Sequence, residues 1–194
     1  HDSVIRVLIF VYIWVSLVPY SYYKEKACII KKKGAFMRIG QSTDIHPFAD
    51  DRDLILGGVK IDYEKGLMGH SDADALLHAI AEAILGALGL GDLGTWFSDQ
   101  DVAYKGIDSS LLLRDVIEKM QEHHYRIGNI DSLILIEQPK MKPYIQKMKE
   151  NIAQLCECEE GRVNVKATRG EKLGFVGRQE GVMAQAVVLL EEDK

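Results

Sequence analysis

Gly66-Leu67-Met68-Gly69-His70-Ser71-Asp72-Ala73-Asp74-Ala75-Leu76-Leu77-His78-Ala79-Ile80 is the stretch on which the reading of this chain turns. Ser71 or Asp72 makes a good helix N-cap, and Leu76, Leu77, Ile80, Ile84 and Leu88 then recur at helical spacing as far as Gly89 and Gly91. A helix start gathers unpaired backbone N–H groups and the positive end of the dipole, which favours an anion, and His70 and Ser71 stand at that mouth. His78 follows along the helix, with Asp74 four residues before it on the same face. Upstream, Asp44-Ile45-His46 places a carboxylate and an imidazole two residues apart, a spacing that points both to one side of an extended segment. Asp44, His46 and His78 together make a three-ligand site for a divalent metal with an open fourth position. An open metal beside an anion-binding helix start suggests phosphate chemistry.

Outward from this stretch, the elements fall into one α/β pattern. Met37 to Gly40 reads as a strand leading into the Asp44/His46 segment, and Leu54 to Ile61 holds two apolar runs about Gly57-Gly58, a hairpin signal. Gly91 to Asp99 is a glycine- and acid-rich loop. Asp108 or Ser109 caps a second helix (Leu112, Leu113, Val116, Ile117 and Met120 inward), with Gly128 after its end. Asn129 to Ile136 is a strand with the apolar run of a central position, and Pro143 opens a third helix striped by Ile145, Met148, Ile152 and Leu155. Arg162 to Ala167 and Gly181 to Leu190 complete the strands. This order predicts an α+β sandwich, a mixed β-sheet with helices packed on one face, in a single domain spanning residues 37–194.

The chain has 194 residues and a net charge of −5, but the charge is uneven. Residues 1–36 carry +4 and the remainder −9, and an acidic body argues against nucleic-acid or anionic-membrane partners. Cys28, Cys156 and Cys158 are too few for a disulfide framework and fit a reducing, cytoplasmic setting; the Cys156/Cys158 pair reads as ordinary thiols. His123-His124 suits the negative end of a helix, and Trp96 and Phe97 read as packing residues.

The leader, residues 1–36, stands apart from the fold. Val4 to Tyr20 is apolar and followed by lysines, as in a signal, an anchor or the front of a plastid-targeting leader, though it is short for a spanning helix. The other reading is that Lys31-Lys32-Lys33-Gly34-Ala35 translates a purine-rich ribosome-binding sequence just before Met37, so that Met37 is the native start. Mass spectrometry of the native N-terminus decides between them; a mature chain starting upstream of Met37 removes the second.

Two loops add chemistry. Glu137 to Pro143 joins a strand end to a helix start, and Lys166 to Arg178 offers hydroxyl, amide, carboxylate and guanidinium groups suited to phosphate and Mg²⁺. Taken in order, D-x-H at 44–46, H-S-D-x-D-x-x-x-H at 70–78, G-D-x-G-x-x-F-x-D at 91–99, P-K-M-x-P at 139–143 and K-A-T-x-x-E-K-L-G-F-x-G-R-x-E-G at 166–181 resemble the 2-C-methyl-D-erythritol 2,4-cyclodiphosphate synthase family of non-mevalonate isoprenoid synthesis. The likeness runs from Met37 to about Glu191.

The resemblance implies a homotrimer with active sites between subunits and Zn²⁺ held by Asp44, His46 and His78. The implied reaction converts 4-diphosphocytidyl-2-C-methyl-D-erythritol 2-phosphate to the cyclic diphosphate and CMP, a phosphorus–oxygen lyase step. His70 and Ser71 would hold the migrating phosphate, with Ile45 beside the metal ligands, and Glu171 a second divalent ion, Mg²⁺ or Mn²⁺. Asp92, Leu93, Gly94, Phe97, Ser98, Asp99, Gln100 and Asp101 would face the methylerythritol or ribose hydroxyls. Ile136, Glu137, Gln138, Pro139, Lys140, Met141 and Lys142 would form the cytosine pocket, and Thr168, Arg169 and Gly170 the diphosphate contact. Phe175 and Arg178 would line the trimer axis and an anion cavity there, of a kind an isoprenoid diphosphate would fit.

Two positions depart from the family pattern. Gln41-Ser42-Thr43 replaces the usual His-Gly-aromatic before D-x-H, and Arg169 stands where a second Thr steadies the transition state. The catalytic pair is then His70 and Arg169; an arginine can donate to phosphate but is far bulkier than Thr. Two other functions fit the same residues: a zinc phosphodiesterase, which releases a linear phosphate, and a non-catalytic trimer that binds CDP or isoprenoid diphosphates.

Overall fold

The computed structural model describes residues 36–97 and 106–193. The expectations placed on the leader up to residue 35, and on Ser98, Asp99, Gln100 and Asp101, lie outside the described residues. The chain from Met37 onward forms one unit, and among its described residues no helix is long and apolar enough to cross a membrane.

Its strands are β1 (Met37–Ala49), β2 (Leu54–Leu56), β3 (Val59–Ile61), β4 (Gly66–Leu67), β5 (Tyr125–Leu135), β6 (Val163–Thr168) and β7 (Gly181–Glu192). The helices are α1 (Ala75–Leu88), the single turn α2 (Leu93–Trp96), α3 (Ser109–Glu122), α4 (Ile145–Leu155) and the single turn α5 (Gly174–Gly177). A five-stranded mixed sheet has the order β4-β1-β7-β5-β6, and β2 and β3 form the expected hairpin. β1 pairs antiparallel with β7 from Met37 opposite Glu191 to Pro47 opposite Gly181, while β5 and β6 run parallel, joined through α4.

The helices cover one sheet face. Along β1, Gly40 and Ser42 point inward, while Ile39, Gln41, Thr43 and Ile45 point to the opposite, open face. Ile39 and Ile45 on β1 and Val187 on β7 leave large apolar groups exposed there. Gly40 has a specific steric reason: a Cβ there would come within 1.8 Å of the Ala83 carbonyl oxygen on α1. With Ala79, Ala83 and Ala87 also buried, small residues on both surfaces let α1 lie close against β1. This approach brings His78 within reach of Asp44. Leu76, Leu77, Ile80, Ile84, Leu113, Ile117 and Met120 are almost fully buried between the layers, and burying each such side chain is worth roughly 1.5–3 kcal/mol.

Several element boundaries differ from the sequence reading. The cap of α1 is Asp74, not Ser71 or Asp72: its carboxylate accepts from the Leu76 and Leu77 N–H groups, and Ala73 before it takes φ +59°. α1 therefore begins after the His70–Ala73 turn. The second helix ends at Glu122, because His124 adopts φ +61° and turns the chain straight into β5. Gly128 is accordingly inside β5, at a break in its register with β7 between Ile127 and Asn129. The Gly91–Asp99 loop contains α2, capped by Asp92, and the third helix opens at Ile145 rather than Pro143.

Candidate active site

Asp44 and His46 project from β1 toward α1, and His78 meets them from the first turn of that helix. One ligand atom from each lies within 4.8 Å of the others, and this trio is the converging group of His, Cys, Asp or Glu found among the described residues. Asp44 Oδ2 stands 2.9 Å from His46 Nε2 and 3.1 Å from His78 Nδ1. The remaining ring nitrogens are engaged: His46 Nδ1 lies 2.7 Å from the Met68 carbonyl, and His78 Nε2 lies 2.8 Å from Ser109 Oγ and 3.2 Å from Ser71 Oγ. Two imidazoles with one nitrogen each held from behind, plus a carboxylate, are a donor set that fits zinc with a free coordination position.

Electrostatics prepare this trio. Burial by itself would push the Asp44 carboxyl up, but the hydrogen bonds and positive charge of His46 and His78 outweigh it and hold Asp44 well below the usual carboxylate range. Burial opposes charging of His46, yet the Asp44 hydrogen bond and charge prevail and raise its pKa.

A cavity of about 370 Å³ opens over the trio. His70, Ser71, Leu93, Gly94 and Phe97, all named from the sequence as site residues, line it together with Gly69, Glu82, Ile107 and Leu112, which that reading did not name as site residues. The His70 loop is clamped from two sides. Arg52 donates to the Gly69 and Ser71 carbonyls at 2.9 and 2.6 Å, and the Gly106 N–H donates to the His70 carbonyl at 2.8 Å.

The helix-start anion site is corrected here. Asp74 is fully buried, and besides capping α1 it accepts from the Gly57 and Gly58 N–H groups at 2.9 and 2.6 Å. The chain's own carboxylate thus fills the positive end of α1 and ties it to the β2–β3 turn, so it does not share the His78 face. Burial pushes the Asp74 carboxyl up to about 6 against the pull of those backbone donors.

Other expected residues lie apart from the trio. Ile45 turns its side chain to the open sheet face, 52% exposed, and only its backbone stays near the trio, its N–H donating to Asp44 Oδ1 at 2.9 Å. Asp92 is engaged as the cap of α2, accepting from Thr95 N–H at 2.9 Å and Thr95 Oγ1 at 2.6 Å.

A second cavity, of about 290 Å³, forms where the parallel strands β5 and β6 end together. Ile136, Pro139, Lys140, Met141, Lys142, Thr168 and Arg169 line it, with Ile145, Val165 and Ala167 behind. The Ile136 N–H donates to the Thr168 carbonyl at 3.0 Å, binding the two loops together, and the Gln138–Pro139 peptide is cis. The carboxyl ends of parallel strands are a usual ligand crevice. Among the described residues the two cavities share no lining residue.

Beyond Arg169 the chain turns back on itself. Glu171 and Lys172 take positive φ, and the Leu173 N–H donates to the Gly170 carbonyl at 2.8 Å. A Cβ on Gly170 would stand 2.5 Å from the Gly177 nitrogen. Glu171 is exposed and borders neither cavity. Phe175 lies in α5, and Arg178 is bound by its own neighbour, with Nε and Nη2 donating to Glu180 at 2.8 and 3.0 Å.

Residues 37–191 match the model of the YgbB family. The chain belongs to the YgbB family. Its relatives include proteins named 2-C-methyl-D-erythritol 2,4-cyclodiphosphate synthase. One from Listeria monocytogenes is 56% identical over 156 residues, covering 80% of this chain and 99% of its own length. One from Geobacillus sp. is 57% identical over 155 residues, covering 80% and 98%. Among solved structures, the bifunctional IspDF of Campylobacter jejuni superimposes with TM-score 0.79 at 41% identity, over 82% of this chain and 43% of that one. Plasmodium falciparum IspF in complex with CDP gives TM-score 0.72 at 33% identity, over 81% and 97%. The YgbB fold is therefore a mixed α/β domain, and the metal trio and the strand-end cavity both fall inside the matched residues.

Proposed function

We propose that this chain is a 2-C-methyl-D-erythritol 2,4-cyclodiphosphate synthase that releases CMP, a phosphorus–oxygen lyase acting in isoprenoid precursor synthesis. The observation that carries the reading is the convergence of Asp44, His46 and His78 within 4.8 Å in a YgbB-family chain. The substrate, 4-diphosphocytidyl-2-C-methyl-D-erythritol 2-phosphate, brings its own nucleophile. A 2-phosphate oxygen bonds to the β-phosphorus, the bond from that phosphorus to the oxygen bridging to the α-phosphate breaks, and CMP leaves with that oxygen. No water and no protein nucleophile enters, so the work left to the protein is positioning and charge neutralisation.

Asp44, His46 and His78 would hold zinc, and Glu171 would contribute to a site for Mg²⁺ or Mn²⁺. When bound, the zinc supplies Lewis acidity to a phosphoryl oxygen. His70, exposed at the cavity edge, donates to the migrating phosphate, and the clamped loop keeps it there. The strand-end cavity takes the cytosine, largely through the backbone of Ile136–Lys142, while Thr168 and Arg169 meet the diphosphate.

One chain keeps these half-sites in separate cavities, and its open sheet face carries exposed Ile39, Ile45 and Val187. Both features support a homotrimer in which copies face one another across that surface and complete each site. The fold domain is residues 37–194, and bacterial relatives support a cytoplasmic setting.

The test is ³¹P NMR of the substrate incubated with the protein, Zn²⁺ and Mg²⁺. Two coupled cyclic-diphosphate resonances growing with CMP establish the synthase. A linear phosphate product establishes a zinc phosphodiesterase instead, and an inert substrate with zinc bound leaves a binding protein.

A further inference from the structure

Behind the metal trio stand Asp72 and Ser109, which line neither cavity. Ser109, the first residue of α3, is 1% exposed. Its Oγ lies 2.8 Å from His78 Nε2, 3.4 Å from Ser71 Oγ and in a close hydrogen bond with Asp72 Oδ1. Asp72 is oriented as an acceptor on both oxygens. Oδ2 receives the Ser109 backbone N–H at 3.2 Å, and Oδ1 receives the Asp74 N–H at 3.2 Å.

This arrangement fixes the direction of the protons. Ser109 has one hydroxyl hydrogen, and the carboxylate oxygen beside it can only accept. The hydroxyl therefore donates to Asp72 and presents its lone pairs to His78. His78 must then carry a hydrogen on Nε2, so that Nδ1, the nitrogen facing Asp44 Oδ2 at 3.1 Å, is the one a metal would take in place of its hydrogen. The Ser71 hydroxyl, 3.2 Å from the same nitrogen and already accepting from the Ala73 N–H at 3.1 Å, offers a further acceptor. His46 is served differently, since its Nδ1 faces the Met68 backbone carbonyl.

We propose that Asp72 and Ser109 form a relay that locks His78 in its Nε2–H tautomer, making Ser109 a positioning residue that sets metal affinity from the start of α3. This rests on the reading that Asp44, His46 and His78 hold zinc. It also ties the start of α3 to His78 on α1 across 31 positions of sequence. The partners of a ligating histidine commonly govern metal affinity by 10–100-fold.

The experiment measures zinc affinity of the full 194-residue chain by competition with a chromophoric chelator. It adds the visible spectrum of the cobalt-loaded protein and the melting temperature of the metal-free protein. Ser109→Ala is expected to weaken zinc binding by about 10–100-fold and to shift the cobalt bands, with Ser109→Thr restoring most of both. Asp72→Asn keeps the side-chain shape, carries the test should Ser109→Ala fail to fold, and is expected to weaken zinc in the same direction. Because both act through His78, the double variant should lose less than the product of the two single losses. Unchanged zinc affinity in Ser109→Ala, or losses that simply multiply, overturns the relay. A parent chain that binds no zinc overturns the metal reading itself.

Discussion

The metal cleft and the strand-end cavity are built on opposite plans. In the cleft, side chains from β1, α1 and α3 converge, and nearly every polar atom has a named partner: Asp44 with both histidines, His46 with Met68, His78 with Ser109. At the end of β5 and β6, a backbone hydrogen bond between Ile136 and Thr168 shapes the wall, and the cations Lys140, Lys142 and Arg169 reach in from exposed positions. The first region is a preorganised charge constellation that tolerates little change. The second is a backbone mould with adjustable edges. On the proposed function, reaction chemistry belongs with the first and recognition with the second, and single substitutions should separate them.

The largest effect is expected at the centre of the cleft. Asp44→Asn removes the charge that both histidines face, and turnover should fall by on the order of 10²–10³-fold, with zinc lost in parallel and the fold kept. Steady-state release of CMP and a zinc assay check it. A variant that loses zinc but keeps turnover would break the division between the two regions.

Next comes the support of the cleft. Asp74→Ala strips the cap of α1 and leaves the buried Gly57 N–H without its partner, a loss of about 2–4 kcal/mol by urea unfolding. Asp74 also gives a pH test. Burial holds its folded pKa up at about 6, above the usual carboxylate range, so the folded state binds the extra proton. Stability should therefore fall as pH rises from about 4 to 6 and level off above. Asp44 has the opposite sign, contributing stability above its unfolded pKa that is lost as pH falls well below it. Asp74→Asn should remove the falling slope and leave the acid-side loss in place.

The same contrast explains what could be read from the sequence. The period of two in Asp44-Ile45-His46 and the helical phase of His78 are local rules, and they named the three residues that the structure brings within 4.8 Å. The paired apolar runs about Gly57-Gly58 likewise marked the β2–β3 hairpin. The sequence put the cap of α1 at Ser71 or Asp72, whose side chains can cap as well as that of Asp74. The choice is made by Gly57 and Gly58, whose N–H groups reach Asp74 from a distant turn. Ser109 showed only as a helix start, since its bond to His78 spans 31 positions. Gly128 looked like a helix terminator, and only the pairing of β5 with β7 makes it a register break.

A smaller effect concerns protons at the trio. His46 has a raised pKa in the metal-free protein because Asp44 holds its proton, and zinc must displace that proton to bind. Apparent zinc affinity should fall by about tenfold per pH unit below the raised pKa and become flat above it. Chelator competition across pH checks the slope, and a pH-independent affinity would show that His46 is not a ligand.

The smallest change is expected at Arg169, and it sharpens the contrast most. Arg169 is exposed at the lip of the strand-end cavity, next to Thr168, whose carbonyl is already bound to Ile136. A guanidinium there can neutralise diphosphate charge, but in water-exposed surroundings each such contact is worth only about 0.2–1 kcal/mol. Threonine donates one hydrogen bond from a shorter side chain and clears the lip for the nucleotide. Arg169→Thr is therefore expected to keep or raise kcat/KM, with any change in KM larger than that in kcat. Progress curves of CMP release at several substrate concentrations separate the two. A large fall in kcat would place Arg169 with the cleft residues, as a side chain acting on the transition state, and the line between chemistry and recognition would then run through the strand-end loop itself.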